Sequence, residues 1–256
     1  MNDLIETKPS ERFTDRVANY ITYRPKYPSA VMDFLRDQLK LGPSSTIADI
    51  GSGTGILSEM FLRYGNTVFG VEPNVAMRAA AEELLKGYPN FKSVDATAEA
   101  TTLDDESVDF ITAGQAFHWF DVNKARVEFK RILKAGGAVV LLWNSRRLDS
   151  TPFLRDLEKL LREFGTDYAQ VNCEALPEET IARFFDGQFM TQSFENFQVF
   201  DYEGLRGRLL SSSYVPLAGH PSYELMLVSL RRLFDLHQIE ERVTIEYDTK
   251  IYYGKL

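Results

Sequence analysis

An acid and three alternating glycines stand at Asp49-Ile50-Gly51-Ser52-Gly53-Thr54-Gly55. Ile47, Ala48 and Ile50 read as the end of a strand buried on both faces, and a helical pattern begins just beyond the glycines, near Thr54. Gly51 and Gly53 permit a tight turn at positive φ and leave no Cβ between the backbone and a ligand. A second β-rich run, within Thr67 to Asn74, ends in Glu72, placed after the glycines where an acid of a βαβ unit accepts both hydroxyls of a ribose. The spacing is GxGxG. A nicotinamide fingerprint, GxGxxG, needs a third glycine at position 56, which is Ile. The pattern therefore points to S-adenosylmethionine, which has no phosphate to seat on a helix N-terminus. A dinucleotide, and a plain strand-to-helix turn with no ligand, stay open at this stage.

Further segments follow in a fixed order. They are Gly70-Val71-Glu72-Pro73-Asn74 with Met77, Ala96-Thr97-Ala98-Glu99, Ser107-Val108-Asp109, Gln115-Ala116-Phe117-His118-Trp119-Phe120-Asp121, and Leu133-Lys134-Ala135-Gly136-Gly137. Together with the glycine segment they resemble the class I S-adenosylmethionine-dependent methyltransferases. The run Gln115 to Phe120, and Tyr20 with Arg24-Pro25-Lys26-Tyr27-Pro28, are similar to a small-molecule branch that includes trans-aconitate methyltransferase-like proteins. The resemblance covers about residues 13 to 144. Ser211 to Pro216, Gly219 to Pro221 and Tyr247 to Lys250 extend it more weakly into the tail.

The resemblance implies S-adenosylmethionine as cofactor, held by Asp49, Gly51, Ser52, Gly53, Gly55, Glu72, Pro73 and Met77. Thr97 would accept from the adenine amine, where many members carry Asp, and Ala98 would donate its backbone N–H to the ring. Gln115 would bond the methionine end or an acceptor oxygen, and Tyr20 and Arg24 would close over the methionine carboxylate, for which a two-pronged guanidinium is suited. Phe117, Trp119 or Phe120 would favour the cationic sulfur, against the plainer reading of core aromatics. Ala135 replaces a common Pro in a turn that is structural.

Methyl transfer to a small molecule asks mainly for alignment of donor and acceptor in a pocket poor in water. A base is required only where the acceptor loses a proton, and His118 is the one nearby candidate, set against a plain structural role. A carboxylate acceptor needs none. Arg146 and Arg147 would attract such an acid, although a solvated charged loop is the simpler reading of that pair. Two alternatives remain: a non-catalytic S-adenosylmethionine-binding or regulatory protein, and an NAD-dependent oxidoreductase, against which Ile56 argues.

Positioning these residues requires a doubly wound, Rossmann-like α/β sheet. Apolar runs at Ile47 to Ile50, Val68 to Val71, Phe91 to Val94, Val108 to Ala113 and Ala138 to Trp143 alternate with helical patterns at Ile56 to Tyr64, Val75 to Leu85 and Val122 to Leu133. Alternation of this kind predicts parallel strands with right-handed crossovers and ligands at their carboxyl ends. Asn74 is expected to cap the second of these helices. Helices are expected at Pro152 to Phe164, Glu178 to Phe185 and Glu224 to His237. Strands at about 189–202 and 243–253 would finish the sheet, the last antiparallel at its edge. The whole chain reads as one domain with its core at about 30–144, capped by a lid from 1–29, which includes the segment Phe13 to Tyr27, and from about 150–188 and 204–240.

Bulk properties agree with that reading. The 256 residues can bury a core without disulfides or metals. Lys and Arg number 29 against 37 Asp and Glu, a net charge of −8, which excludes a broadly basic surface for nucleic acid or anionic lipid. One cysteine, Cys173, permits no internal disulfide, and no apolar stretch reads as a signal peptide or a span of roughly 20 residues, so a cytoplasmic setting and no membrane are expected. His118, His220 and His237 show no ligand spacing, and no metal is expected. The sequence leaves the oligomeric state open.

Overall fold

The computed structural model describes residues 17–166, 168 and 178–256. Phe13 and Cys173 lie outside the described residues. Seven strands form one sheet in the order β3-β2-β1-β4-β5-β7-β6. They are β1 (Thr46–Ile50), β2 (Thr67–Val71), β3 (Phe91–Val94), β4 (Val108–Gly114), β5 (Leu133–Arg146), β6 (Phe189–Phe200) and β7 (Val243–Gly254). The first five are parallel, while β7 runs antiparallel between β5 and β6. The sheet is thus mostly parallel with antiparallel C-terminal strands, as the alternation of apolar runs predicts. The outermost strand is β6, and β7 lies one place inside it.

Apolar runs in β1 and β4 become central strands because both their faces are covered. Ile47, Ala48, Ile50, Ile111 and Ala113 are fully enclosed. The covering helices include α1 (Val17–Tyr23), α2 (Ser29–Leu39), α3 (Ile56–Tyr64), α4 (Val75–Leu85) and α5 (Val122–Ile132). Their starts are fixed by local chemistry. Asn74 accepts from the Met77 N–H at the head of α4, and Asp121 accepts from Lys124 N–H at the head of α5.

Strand β5 is longer than its apolar run. Val108 pairs with Leu133 but Phe110 pairs with Ala138, so a bulge absorbs the turn-like Lys134 to Gly137 and keeps Leu133 in the ladder. At the other end, antiparallel pairing with β7 carries the strand on through Asn144 to Arg146.

A second core lies beyond the C-terminal ends of the sheet. It is built by α6 (Pro152–Phe164), α8 (Tyr202–Leu210) and α9 (Tyr223–His237) against Phe200, Val243, Ile245 and Tyr247, while α7 (Glu178–Phe184) packs on the main core through Ile181 and Phe184. In α6, Phe153, Leu154, Leu157, Leu160 and Leu161 fall on one stripe and are all buried. At about 1.5–3 kcal/mol for each fully buried aliphatic side chain, that stripe is enough to dock the helix. The segment leading from α1 is tied to this body: Gln198 donates to the Tyr23 carbonyl at 3.1 Å, Asn196 to the Lys26 carbonyl at 2.8 Å, and Arg24 to the Ser211 carbonyl at 2.9 Å. No described helix is long and apolar enough to cross a membrane.

Candidate active site

The order of the strands reverses between β1 and β4, and their carboxyl ends open there into a crevice. Two cavities occupy it. The larger, of about 280 Å³, is bounded by Gly51, Gly53, Glu72, Pro73 and Met77 on one side and by Thr97, Ala98, Gln115, Trp119 and Phe120 on the other. The smaller, of about 40 Å³, lies against Asp49, Ser52, Tyr20, Arg24, Tyr27 and Asn144. Tyr20, Gly51, Gly53, Gly114 and Gln115 border both, so the two adjoin along one channel-like crevice.

Glu72 anchors the wide end. Gly53 N–H donates to its Oε2 at 2.9 Å and Asn74 N–H to its Oε1 at 2.8 Å, which fixes the carboxylate against the glycine loop. Burial raises its pKa, and those two N–H donors work the other way. Each oxygen keeps a lone pair for a further donor.

Asp49 sits at the narrow end. Ser58 Oγ donates to it at 2.6 Å and Thr112 Oγ1 at 3.2 Å, yet burial pushes its carboxyl up to about 7. Across the channel the Arg24 guanidinium stacks on the Tyr20 ring, 4.8 Å from its centroid.

Gln115 follows β4 with φ +57, a left-handed conformation for a residue that is not glycine. Such strain costs on the order of 1–3 kcal/mol and persists where neighbours impose it. Here the Gln115 N–H donates to Leu142 O at 2.9 Å and its side chain to Asn144 O at 3.1 Å, which aims the amide at the place where the cavities join.

Among the sequence-derived candidates, the fold gathers Tyr20, Arg24, Asp49, Gly51, Ser52, Gly53, Glu72, Pro73, Met77, Thr97, Ala98 and Gln115 at the channel. Two candidates stand apart from it. Gly55 caps α3, and a Cβ there would lie 2.5 Å from Leu85, so packing explains that glycine. His118 belongs to a one-turn helix, Phe117–Trp119, with its ring 4.6 Å from that of Trp119, and it borders neither cavity. Burial pulls its pKa down to about 4, so its imidazole is neutral at pH 7. Phe117 is core: it is fully buried and meets Phe184 edge-on at 4.8 Å.

Arg146 and Arg147 are not a solvated loop. Arg146 ends β5 and pairs internally with Glu158, whereas Arg147 pairs with Asp248 and Glu195. Sequence reasoning passed over Asn144, whose only signal was its place at the carboxyl end of a parallel strand.

Comparison with known proteins shows what the crevice-bearing part of the chain is similar to. Residues 48–141 match the family model described as a methyltransferase domain. Over residues 48–141 the chain is similar to a methyltransferase domain. An uncharacterized methyltransferase of Schizosaccharomyces pombe is 34% identical over 152 residues, 59% of each chain. One from Mycobacterium tuberculosis is 32% identical over 153 residues, 60% of each chain. The match thus spans about three fifths of these curated relatives. In fold, the methyltransferase domain and its surroundings are similar to the YcgJ protein of Bacillus subtilis, with TM-score 0.55 and 21% identity over 89% of this chain and 98% of that one. A protein of Anaeromyxobacter dehalogenans named as a candidate type II methyltransferase gives TM-score 0.66 and 22% identity over 91% of this chain and 98% of that one.

Proposed function

We propose that the chain transfers the methyl group of S-adenosylmethionine to a small-molecule acceptor, a carboxylate in our reading. The observation that carries this is the pair of adjoining cavities that runs from Glu72 to Asp49 and Arg24, whose ends suit the ribose and the amino acid of one ligand. On this reading the Glu72 carboxylate accepts from the ribose hydroxyls. Thr97 and Ala98 receive the adenine, and Arg24 with Tyr20 meets the methionine carboxylate. Trp119 and Phe120 border the widest part, where a ring face favours a sulfonium. A non-catalytic protein that binds the same cofactor shares all of these features and is separated from an enzyme only by turnover.

Asp49 gives this reading a pH signature. In the free protein its carboxyl titrates near pH 7. An approaching ammonium favours the ionised form, so its pKa falls on binding and a proton leaves. Cofactor affinity therefore rises with pH through about 7 and falls by up to about tenfold per unit below it. Calorimetry at pH 6.5 in two buffers of different ionisation enthalpy should register this release. Identical heats in both buffers would exclude Asp49 as the group that meets the ammonium.

His118 separates alignment from acid–base catalysis. A carboxylate is already ionised near neutral pH and attacks the methyl without losing a proton. His118→Ala should then lower kcat by no more than about tenfold, whereas loss of a general base typically costs about 10² to 10⁴. A loss of several hundredfold in a folded variant that still binds cofactor would turn the reading towards a hydroxyl, amine or carbon acid. The cofactor assignment itself is tested by titrating the protein with S-adenosylhomocysteine and with NAD. Binding of the first at micromolar strength, with none of the second, is expected, and the reverse would restore the oxidoreductase.

A further inference from the structure

Three guanidinium groups converge where the second core meets the crevice: Arg24, Arg146 and Arg208. They come from distant parts of the chain. Arg24 Nη2 donates to Ser211 O at 2.9 Å, while Arg208 Nη1 donates to Ser211 Oγ at 3.4 Å and Ser212 Oγ at 3.1 Å, so the first and third meet at Ser211. Arg208 Nε donates to the Tyr247 hydroxyl at 3.1 Å. A cavity of about 20 Å³, room for one oxygen-sized group, lies between Arg208 and Arg146 with Ser212 and Tyr214 on its wall.

The charges in this cluster do not cancel among the described residues. Among the described residues the only acid bonded to any of the three is Glu158, whose Oε2 accepts from Arg146 at 2.5 Å and whose Oε1 pairs with Arg162 at 2.7 Å. Arg208 is 9% exposed and has hydroxyls for partners. Two buried donors, Arg24 Nε and Arg146 Nη1, have no hydrogen-bond partner among the described residues. Burial, and next the charge of Arg208, lower the pKa of Arg24, whereas at Arg208 and Arg146 burial is outweighed by tyrosine hydroxyls and, at Arg146, by Glu158, so both of those are raised. Charges this deep are held by partners of opposite sign. Three guanidiniums against one carboxylate call for two more anions. The cofactor carboxylate at Arg24 supplies one, on the reading given above.

We propose that Arg208, with Arg146 and Ser212, receives the second anion, and that this is an anionic group of the methyl acceptor, a carboxylate or a phosphoryl group. Arg24 links the two places, since it borders the smaller crevice cavity and shares Ser211 with Arg208; one oxygen of the anionic group would sit at Arg208, which would then set specificity without touching the transferred methyl.

The test is calorimetric and uses the whole chain saturated with S-adenosylhomocysteine. Succinate, inorganic phosphate and the neutral succinamide are titrated in turn. An anion should bind at least about tenfold more tightly than the amide, with succinate or phosphate naming the preferred group. Arg208→Gln should abolish that preference and hold S-adenosylhomocysteine as wild type does. Equal binding of acids and amide, no binding of either acid, or a folded Arg208→Gln protein with its preference intact would each overturn the proposal. Should Arg208→Gln not fold, the acid-to-amide ratio of the wild type decides on its own. A protein that fails to bind S-adenosylhomocysteine yet discriminates acid from amide would sink the cofactor reading and leave the anion site standing.

Discussion

Glu72→Ala should bind S-adenosylhomocysteine about 30 to 1,000 times more weakly than the wild type. The factor corresponds to about 2–4 kcal/mol, the loss of two hydrogen bonds from ribose hydroxyls to one carboxylate. The variant also releases the N–H groups of Gly53 and Asn74, which Glu72 holds at 2.9 and 2.8 Å, so the loop beneath the ligand loosens together with the loss of direct contact. Glu72→Gln keeps one carbonyl acceptor and should fall between the two. Relief of a buried charge, which raises the pKa of Glu72, offsets part of the cost of leaving those two N–H groups unpaired, so the empty fold should persist with a modest loss of stability. Circular dichroism should be unchanged while calorimetry registers the loss. An unaltered dissociation constant would remove Glu72 from the ribose.

Gly51 and Gly53 should respond differently to the same methyl group, the first chiefly in stability and the second chiefly in cofactor affinity. Both lie at positive φ, +67 and +56, where an L side chain costs about 1–2 kcal/mol. A Cβ at Gly51 would also stand 2.6 Å from Ala116 Cβ, an overlap between two rigid positions that adds about 1–3 kcal/mol. At Gly53 a Cβ meets nothing within 4 Å, and Gly53 borders both cavities, so the added methyl enters the channel. Gly51→Ala is therefore expected to lose about 2–5 kcal/mol of stability in urea titration. Gly53→Ala should lose about 1–2 kcal/mol of stability and at least about tenfold in cofactor affinity. A Gly53→Ala protein that binds S-adenosylhomocysteine like the wild type would mean that no ligand approaches the backbone there.

The contrast between those glycines and Arg208 shows what was legible in the sequence. A strand buried on both faces must be a continuous apolar run, and a backbone that a ligand approaches must lack side chains. Both requirements write themselves into adjacent residues, so β1, the glycine loop, β2 and Glu72 could be read directly. Helix α6 was equally plain from its stripe. Helix α8, Tyr202–Leu210, was not: two glycines dilute its pattern, and its polar and apolar residues share no clear face. That helix carries Arg208. A buried arginine looks like any surface arginine until tertiary structure encloses it, and its neighbours Arg24 and Tyr247 are remote in sequence. The reach of β5 past Trp143 to Arg146 was hidden for a related reason, because those residues are held by β7, a partner more than a hundred positions away. For His118 the sequence offered a base and a core histidine alike, and only the fold shows a neutral imidazole beside Trp119 rather than at the channel wall.

The central claim is turnover, and one measurement addresses it directly. The protein is incubated with S-adenosylmethionine carrying an isotopically labelled methyl and a metabolite extract, and the labelled species are identified by mass. Label should appear in a small molecule whose unmethylated form is retained on an anion exchanger, with S-adenosylhomocysteine formed in equal amount. Tight binding of S-adenosylmethionine with no label in any product would contradict the account and leave a protein that binds the cofactor without using it.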